Sequence, residues 1–149
     1  MPPTAETSQA VGGPLSRPAG IFTQVEDERL REVLKRCSPS TYEAARRFRQ
    51  TGDPAHLPAI IHGVIQRYME PDRRAALTQP DDGLRLVEDL GIDSLTMMEI
   101  VMLAEDVLQI TVTGREMCQL RTLGDAKRFI EGKVLDRARS LAEAAVSDR

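Results

Sequence analysis

Tryptophan is absent from this 149-residue chain, and aromatic residues make up only 3% of it. Any core must therefore be built from Leu, Ile, Val, Met and Ala. Cysteine is scarce as well. Cys37 and Cys118 lie far apart with no Cys-x-x-Cys spacing, which excludes a disulfide scaffold and fits a reduced, cytoplasmic compartment. No secretory apolar region opens the sequence, and its longest apolar run is too short to span a bilayer. The two histidines, His56 and His62, have no further ligands spaced around them, so no metal site is expected. They read as surface or half-buried positions on one helix. Neither has the context of a base serving a nucleophilic serine, so no catalytic residue is expected.

Helix formers are plentiful: Leu, Met, Ala, Glu and Arg dominate, and no stretch alternates like a strand for long. The expected class is all-α. The net charge of −3 is unevenly spread, because residues 81–110 hold eight acids against Arg85 alone. Residues 20–50 carry seven bases and five acids. The acidic middle suits a basic protein partner and argues against nucleic acid.

Residues 1–20 are rich in Pro, Gly and small polar residues, a composition that predicts disorder. Val25, Leu30, Val33, Leu34 and Cys37 then recur at helical spacing, and Ser38-Pro39 opens a second helix through Tyr42, Ala44, Ala45 and Phe48 to Thr51-Gly52. The pair reads as a hairpin with a basic outer face (Arg46, Arg47, Arg49), a packing appendage rather than a binding element. Asp53-Pro54 signals another helix start, followed by an apolar stripe of Ile60, Ile61, Val64, Ile65, Tyr68 and Met69 and a stop at Pro71. A long connection over 71–92 includes a turn at Pro80-Asp-Asp-Gly83 and apolar anchors Leu84, Leu86, Val87, Leu90 and Ile92. A loop of that length in a small domain usually has a function.

That connection delivers Ser94. Asp93 is placed to cap a helix from Ser94 to Gln109, and Ser94 occupies its first position with an outward hydroxyl. Met97, Ile100, Val101, Ala104 and Leu108 follow core spacing. Leu95, Met98, Met102, Glu99, Glu105 and Asp106 fall on the opposite side, a mixed face suited to transient partners. Alternatively, Met98 and Met102 merely widen the core stripe. Downstream, Thr113-Gly-Arg-Glu116 has the form of a capping box opening a short helix, and Thr122-Leu-Gly-Asp125 is a weaker version. The last helix buries Leu123, Ala126, Phe129, Ile130 and Val134, then runs into a charged tail expected to fray or project.

Glu88-Asp-Leu-Gly-Ile-Asp-Ser-Leu95, with Met98-Glu99-Ile100-Val101 after it, resembles the signature of acyl carrier proteins. Ile110-Thr-Val-Thr113 and Arg121-Thr-Leu-Gly-Asp-Ala-Lys-Arg-Phe-Ile130 match that family's third and fourth helices in register, so the resemblance covers about residues 54–133. It implies a four-helix bundle with three longer helices and one short one, plus the additional N-terminal hairpin. The expected layout is a disordered segment over 1–23, a helical extension over 24–52, a carrier domain over 53–134 and a helical tail over 135–149. It further implies 4′-phosphopantetheine on Ser94, installed from coenzyme A and Mg²⁺ by a phosphopantetheinyl transferase that Asp93 helps to position. Leu95, Met98, Glu99, Met102, Glu105 and Asp106 would then meet acyl-chain enzymes of the ketosynthase, ketoreductase, dehydratase and acyltransferase types. Ile65, Ile100, Ala104 and Leu123 are candidates for lining an acyl cleft. A monomeric carrier for fatty-acid or related specialised lipid synthesis is expected. Polyketide or peptidyl carriers, or an unmodified interaction module, are the alternatives. The extra N-terminal region, the tail beyond about 134, and Thr96 where many fatty-acid carriers have an acid depart from the pattern and point to a specialised pathway.

Overall fold

The computed structural model describes residues 22–77 and 81–147, with side chains through Ala144. The segment expected to be disordered lies outside the described residues except for Phe22 and Thr23, and Pro80 of the expected turn also lies outside them. Helix α1 (Gln24–Val33) is capped by Thr23, whose side chain accepts from the Glu26 N–H at 3.1 Å. Helix α2 (Pro39–Thr51) starts with Ser38 as cap and Pro39 in its first turn, and ends on Gly52 in the left-handed conformation at φ 76°. Asp53 caps a 3-10 turn, Pro54–His56, which leads into α3 (Leu57–Arg67). Pro71 does not stop α3. The helix ends at Arg67, with Tyr68 as its C-cap, and Pro71 opens a further 3-10 segment, Pro71–Leu77.

Helix α4 (Ser94–Leu108) ends at Gln109 with φ 59°, and α5 (Gly114–Met117) is a single turn behind a complete capping box between Thr113 and Glu116. Helix α6 (Leu123–Ser147) is the longest. Its start is a reciprocal box too: Asp125 N–H donates to Thr122 Oγ1 at 3.1 Å, and Asp125 Oδ2 accepts from the Thr122 and Arg121 N–H groups at 3.1 and 3.2 Å. The shorter aspartate therefore completes the box that its sequence only weakly suggested. Beyond Val134 the helix continues almost wholly exposed, so the tail projects.

Among the described residues there is no strand, and the fold is the expected all-α bundle with a helical hairpin added at its N-terminus. The hairpin is not loosely attached. Leu30, Leu34, Ala44, Ala45 and Phe48 belong to the same buried cluster as Ile60, Val64, Leu86, Ile100 and Leu123. The two elements come close at Gly63 of α3, where an added Cβ would overlap Thr41 Oγ1 of α2. Arg49, expected on the basic outer face, is instead buried. It donates to the Val107 carbonyl at 3.4 Å and to Glu26 Oε1 at 3.2 Å, linking α2 to α4 and α1. Val25, by contrast, faces solvent rather than the core.

Candidate functional site

The connection before Ser94 is short of regular structure but well anchored. Leu86, Leu90 and Ile92 are fully buried. The Leu86 N–H donates to the Arg121 carbonyl at 2.9 Å, and the Leu123 N–H returns a bond to the Leu84 carbonyl at 2.8 Å, pinning the loop to the start of α6. Asp89 closes the turn by accepting from the Arg85 backbone at 2.7 Å and from its guanidinium at 3.2 Å, and these bonds hold its carboxyl below the ordinary range. Gly91 adopts φ 72°, a conformation that favours glycine. Val87, expected among the anchors, is 59% exposed.

This scaffold places Ser94 at the first position of α4, exposed. Asp93 is the cap, as expected: its Oδ1 accepts from the Thr96 N–H at 2.8 Å, and that bond lowers its carboxyl pKa. Among the described residues the Ser94 hydroxyl has no hydrogen-bond partner. An exposed, structurally uncommitted hydroxyl beside the unpaired N–H groups of a helix start can accept a phosphate group without breaking an existing contact.

The outward face of α4 carries Leu95, Met98 and Met102 at 66%, 49% and 62% exposure, with Glu99 exposed between them. The two methionines therefore do not widen the core stripe. The acids further along are partly occupied. Glu105 is half-buried, and its Oε2 accepts from the Val112 N–H at 2.7 Å. Asp106 stays exposed but lies 4.0 Å from Arg29 of α1. The face expected to present three acids thus presents Glu99 freely, Asp106 beside a cation, and Glu105 as a brace for the next loop.

The inward side differs from the expected stripe as well. Ile100 and Leu108 are buried, while Met97, Val101 and Ala104 are half-buried. Leu103 and Val107, which had no place in the expected stripe, are buried too. Helices α1 and α2 both pack on α4, giving it a second covered flank. The half-buried side opens on an apolar cavity of about 50 Å³ lined by Ile65, Ile100, Ala104, Val101 and Phe129 among others. Leu123, expected to line it, does not; it is fully buried at the start of α6.

His56 lies in the 3-10 turn and His62 in α3, both half-buried, and burial pushes the His62 imidazole below its ordinary pKa. No metal-binding cluster occurs among the described residues. No described helix is long and apolar enough to cross a membrane.

A family profile described as "Phosphopantetheine attachment site" matches residues 74–130, which bracket Ser94. Among curated relatives, an acyl carrier protein of Beutenbergia cavernae is 44% identical over 57 residues, covering 36% of this chain and 70% of that protein. One from Wolinella succinogenes is 43% identical over 47 residues, 32% of this chain and 62% of its own. One from Exiguobacterium sibiricum is 45% identical over 47 residues, 32% and 60%. The chain thus spans 60–70% of these relatives' length, and the matched stretches make up about a third of its own. No solved structure matches it.

Proposed function

Because the chain belongs to the acyl carrier protein family, a family of carriers rather than enzymes bearing covalent 4′-phosphopantetheine, we propose that Ser94 is the residue that holds its arm. The observation that carries this reading is the exposed, unpartnered Ser94 hydroxyl at the capped start of α4, inside the matched segment. Its oxygen would form a phosphodiester with the pantetheine phosphate of coenzyme A, and the nucleotide part of coenzyme A would leave. When bound, the arm supplies a thiol that holds an acyl group as a thioester and raises its effective concentration at a partner enzyme. The phosphodiester gains from the helix N-terminus, and Asp93 keeps that terminus formed.

Leu95, Met98 and Met102 form the apolar part of the partner footprint and Glu99 its free charge. Asp106 contributes at the edge, shared with Arg29. One free acid makes contacts that are individually weak and salt-screened, which suits a carrier that must release each partner. The partners are a phosphopantetheinyl transferase and acyl-chain enzymes of the ketosynthase, ketoreductase, dehydratase and acyltransferase types, in fatty-acid or related specialised lipid synthesis. The apolar cavity of about 50 Å³ beside α4 is the place where part of an acyl chain would be sheltered. Residues 53–134 serve as the carrier unit, in a monomer, and two free cysteines suit a reduced cytoplasm.

Incubation with coenzyme A, Mg²⁺ and a promiscuous phosphopantetheinyl transferase should raise the intact mass by one phosphopantetheine per chain. An unchanged mass would defeat the proposal. Glu99→Lys should lower kcat/KM for that loading by roughly two- to fivefold, the scale of one exposed ion pair, and more at low salt than at high. Equal rates at both salt concentrations would remove Glu99 from the footprint.

A further inference from the structure

A phosphodiester on Ser94 would sit next to Asp93 in the most acidic stretch of the sequence, so its charge would be favoured by a local cation. Arg85 is committed to Asp89, and Arg74 donates its Nε–H to the Gln66 carbonyl at 3.2 Å. Arg73 differs from both. It is exposed in the 3-10 segment Pro71–Leu77, and its guanidinium rests against Gly91. A Cβ added at Gly91 would lie 3.1, 3.3 and 3.4 Å from its Nη1, Cζ and Nε. Three such similar distances place the face of the guanidinium, not its edge, over the glycine. Guanidinium donors lie in the plane of the group, at its rim. A face-on seat therefore leaves them available, and among the described residues the Arg73 side chain makes no hydrogen bond or ion pair. Gly91 both adopts the φ of 72° that the turn needs and, lacking a Cβ, provides the seat.

Only Ile92 and Asp93 lie between Gly91 and Ser94, a span of at most about 11 Å of backbone. We infer that Arg73 is a phosphate-recognition residue of this carrier, held on Gly91 to donate to the phosphodiester oxygens on Ser94. The inference rests on the attachment reading above. Arg73 binds the arm's anion and orients its root; it takes no part in forming the bond. Charge-assisted donation from a guanidinium to phosphate is among the stronger hydrogen bonds available to an exposed side chain.

The test uses the full chain, ¹⁵N-labelled, unloaded and then loaded, with intact mass recorded on each sample. On loading, the Arg73 Nε–H should shift and its exchange with water should slow by roughly two- to fivefold, the scale of a single exposed charged contact, with the slowing lost at high salt. In loaded Arg73→Gln the ³¹P resonance of the arm should move from its wild-type position, while Arg73→Lys restores part of the shift. A normal mass gain with an unmoved Arg73 Nε–H and an identical ³¹P resonance in Arg73→Gln overturns the Arg73 assignment alone. Absence of the mass gain overturns the attachment reading and this inference with it. If coenzyme A added to the unloaded chain without transferase protects Arg73 as much as loading does, the residue binds free phosphates in general and the inference fails.

Discussion

Ser94→Ala should abolish the phosphopantetheine mass gain while leaving the fold intact. Among the described residues, the hydroxyls that cap other helices are committed where Ser94 is not. Thr23, Ser38, Thr113 and Thr122 each accept a backbone N–H at the start of a helix, so a transferase would have to break a cap to reach them. The cap of α4 is Asp93, and it bonds Thr96 whether residue 94 is serine or alanine. Alanine is a good helix former, and no contact is lost with the Ser94 hydroxyl, so stability should stay within about 0.5 kcal/mol of the native chain. The variant then separates chemistry from folding: an unchanged melting curve with no mass gain assigns the site. An equal mass gain in Ser94→Ala would move the attachment to another hydroxyl and remove the case for Ser94.

The parts of this fold readable from sequence are those governed by neighbours within a few residues. Caps are local, so Asp93, Ser38, Asp53 and the Thr113–Glu116 box are visible from residue type and spacing alone. Ser94 follows from the same local logic, since a cap and a glycine turn place the next residue. Side chains whose fate depends on distant contacts were not readable. Arg49 has the look of a solvated base, but Glu26 and the Val107 carbonyl, brought to it only by tertiary packing, allow it to be buried. Leu103 and Val107 are covered because a hairpin packs on a second flank of α4, and no single helical stripe signals two flanks. Glu105 falls beside Met98 on a helical wheel, on the expected outward side, yet the loop returning at Val112 claims its carboxylate. Gly63 gave no signal, because a glycine inside a helix pattern shows only a cost until the neighbouring helix is known.

Gly63→Ala tests whether the hairpin is a structural part of the carrier. In the middle of a helix with nothing beside it, this substitution stabilises by about 1 kcal/mol, because alanine loses less conformational freedom on folding. Here the new Cβ would meet Thr41 Oγ1 at 1.9 Å and Thr41 Cβ at 2.7 Å. Thr41 is buried, and its hydroxyl is bonded to Ser38 at 2.9 Å, so it has no free direction in which to withdraw. Helix α2 must move away from α3, which loosens the packing of Ala45 and Phe48 in the shared core. The expected result is a net destabilisation of about 1–3 kcal/mol, the usual cost of overpacking, with the sign opposite to the intrinsic preference. Adding Thr41→Ala should recover part of the loss, because it removes Oγ1 and Cγ2 and leaves only the Cβ of residue 41 against the new methyl, and the non-additivity should be on the order of 1 kcal/mol. Chemical denaturation of the three variants reads all of this. If Gly63→Ala instead raises the midpoint, the hairpin packs loosely enough to yield, and its burial against α3 contributes little to the stability of the unit that presents Ser94.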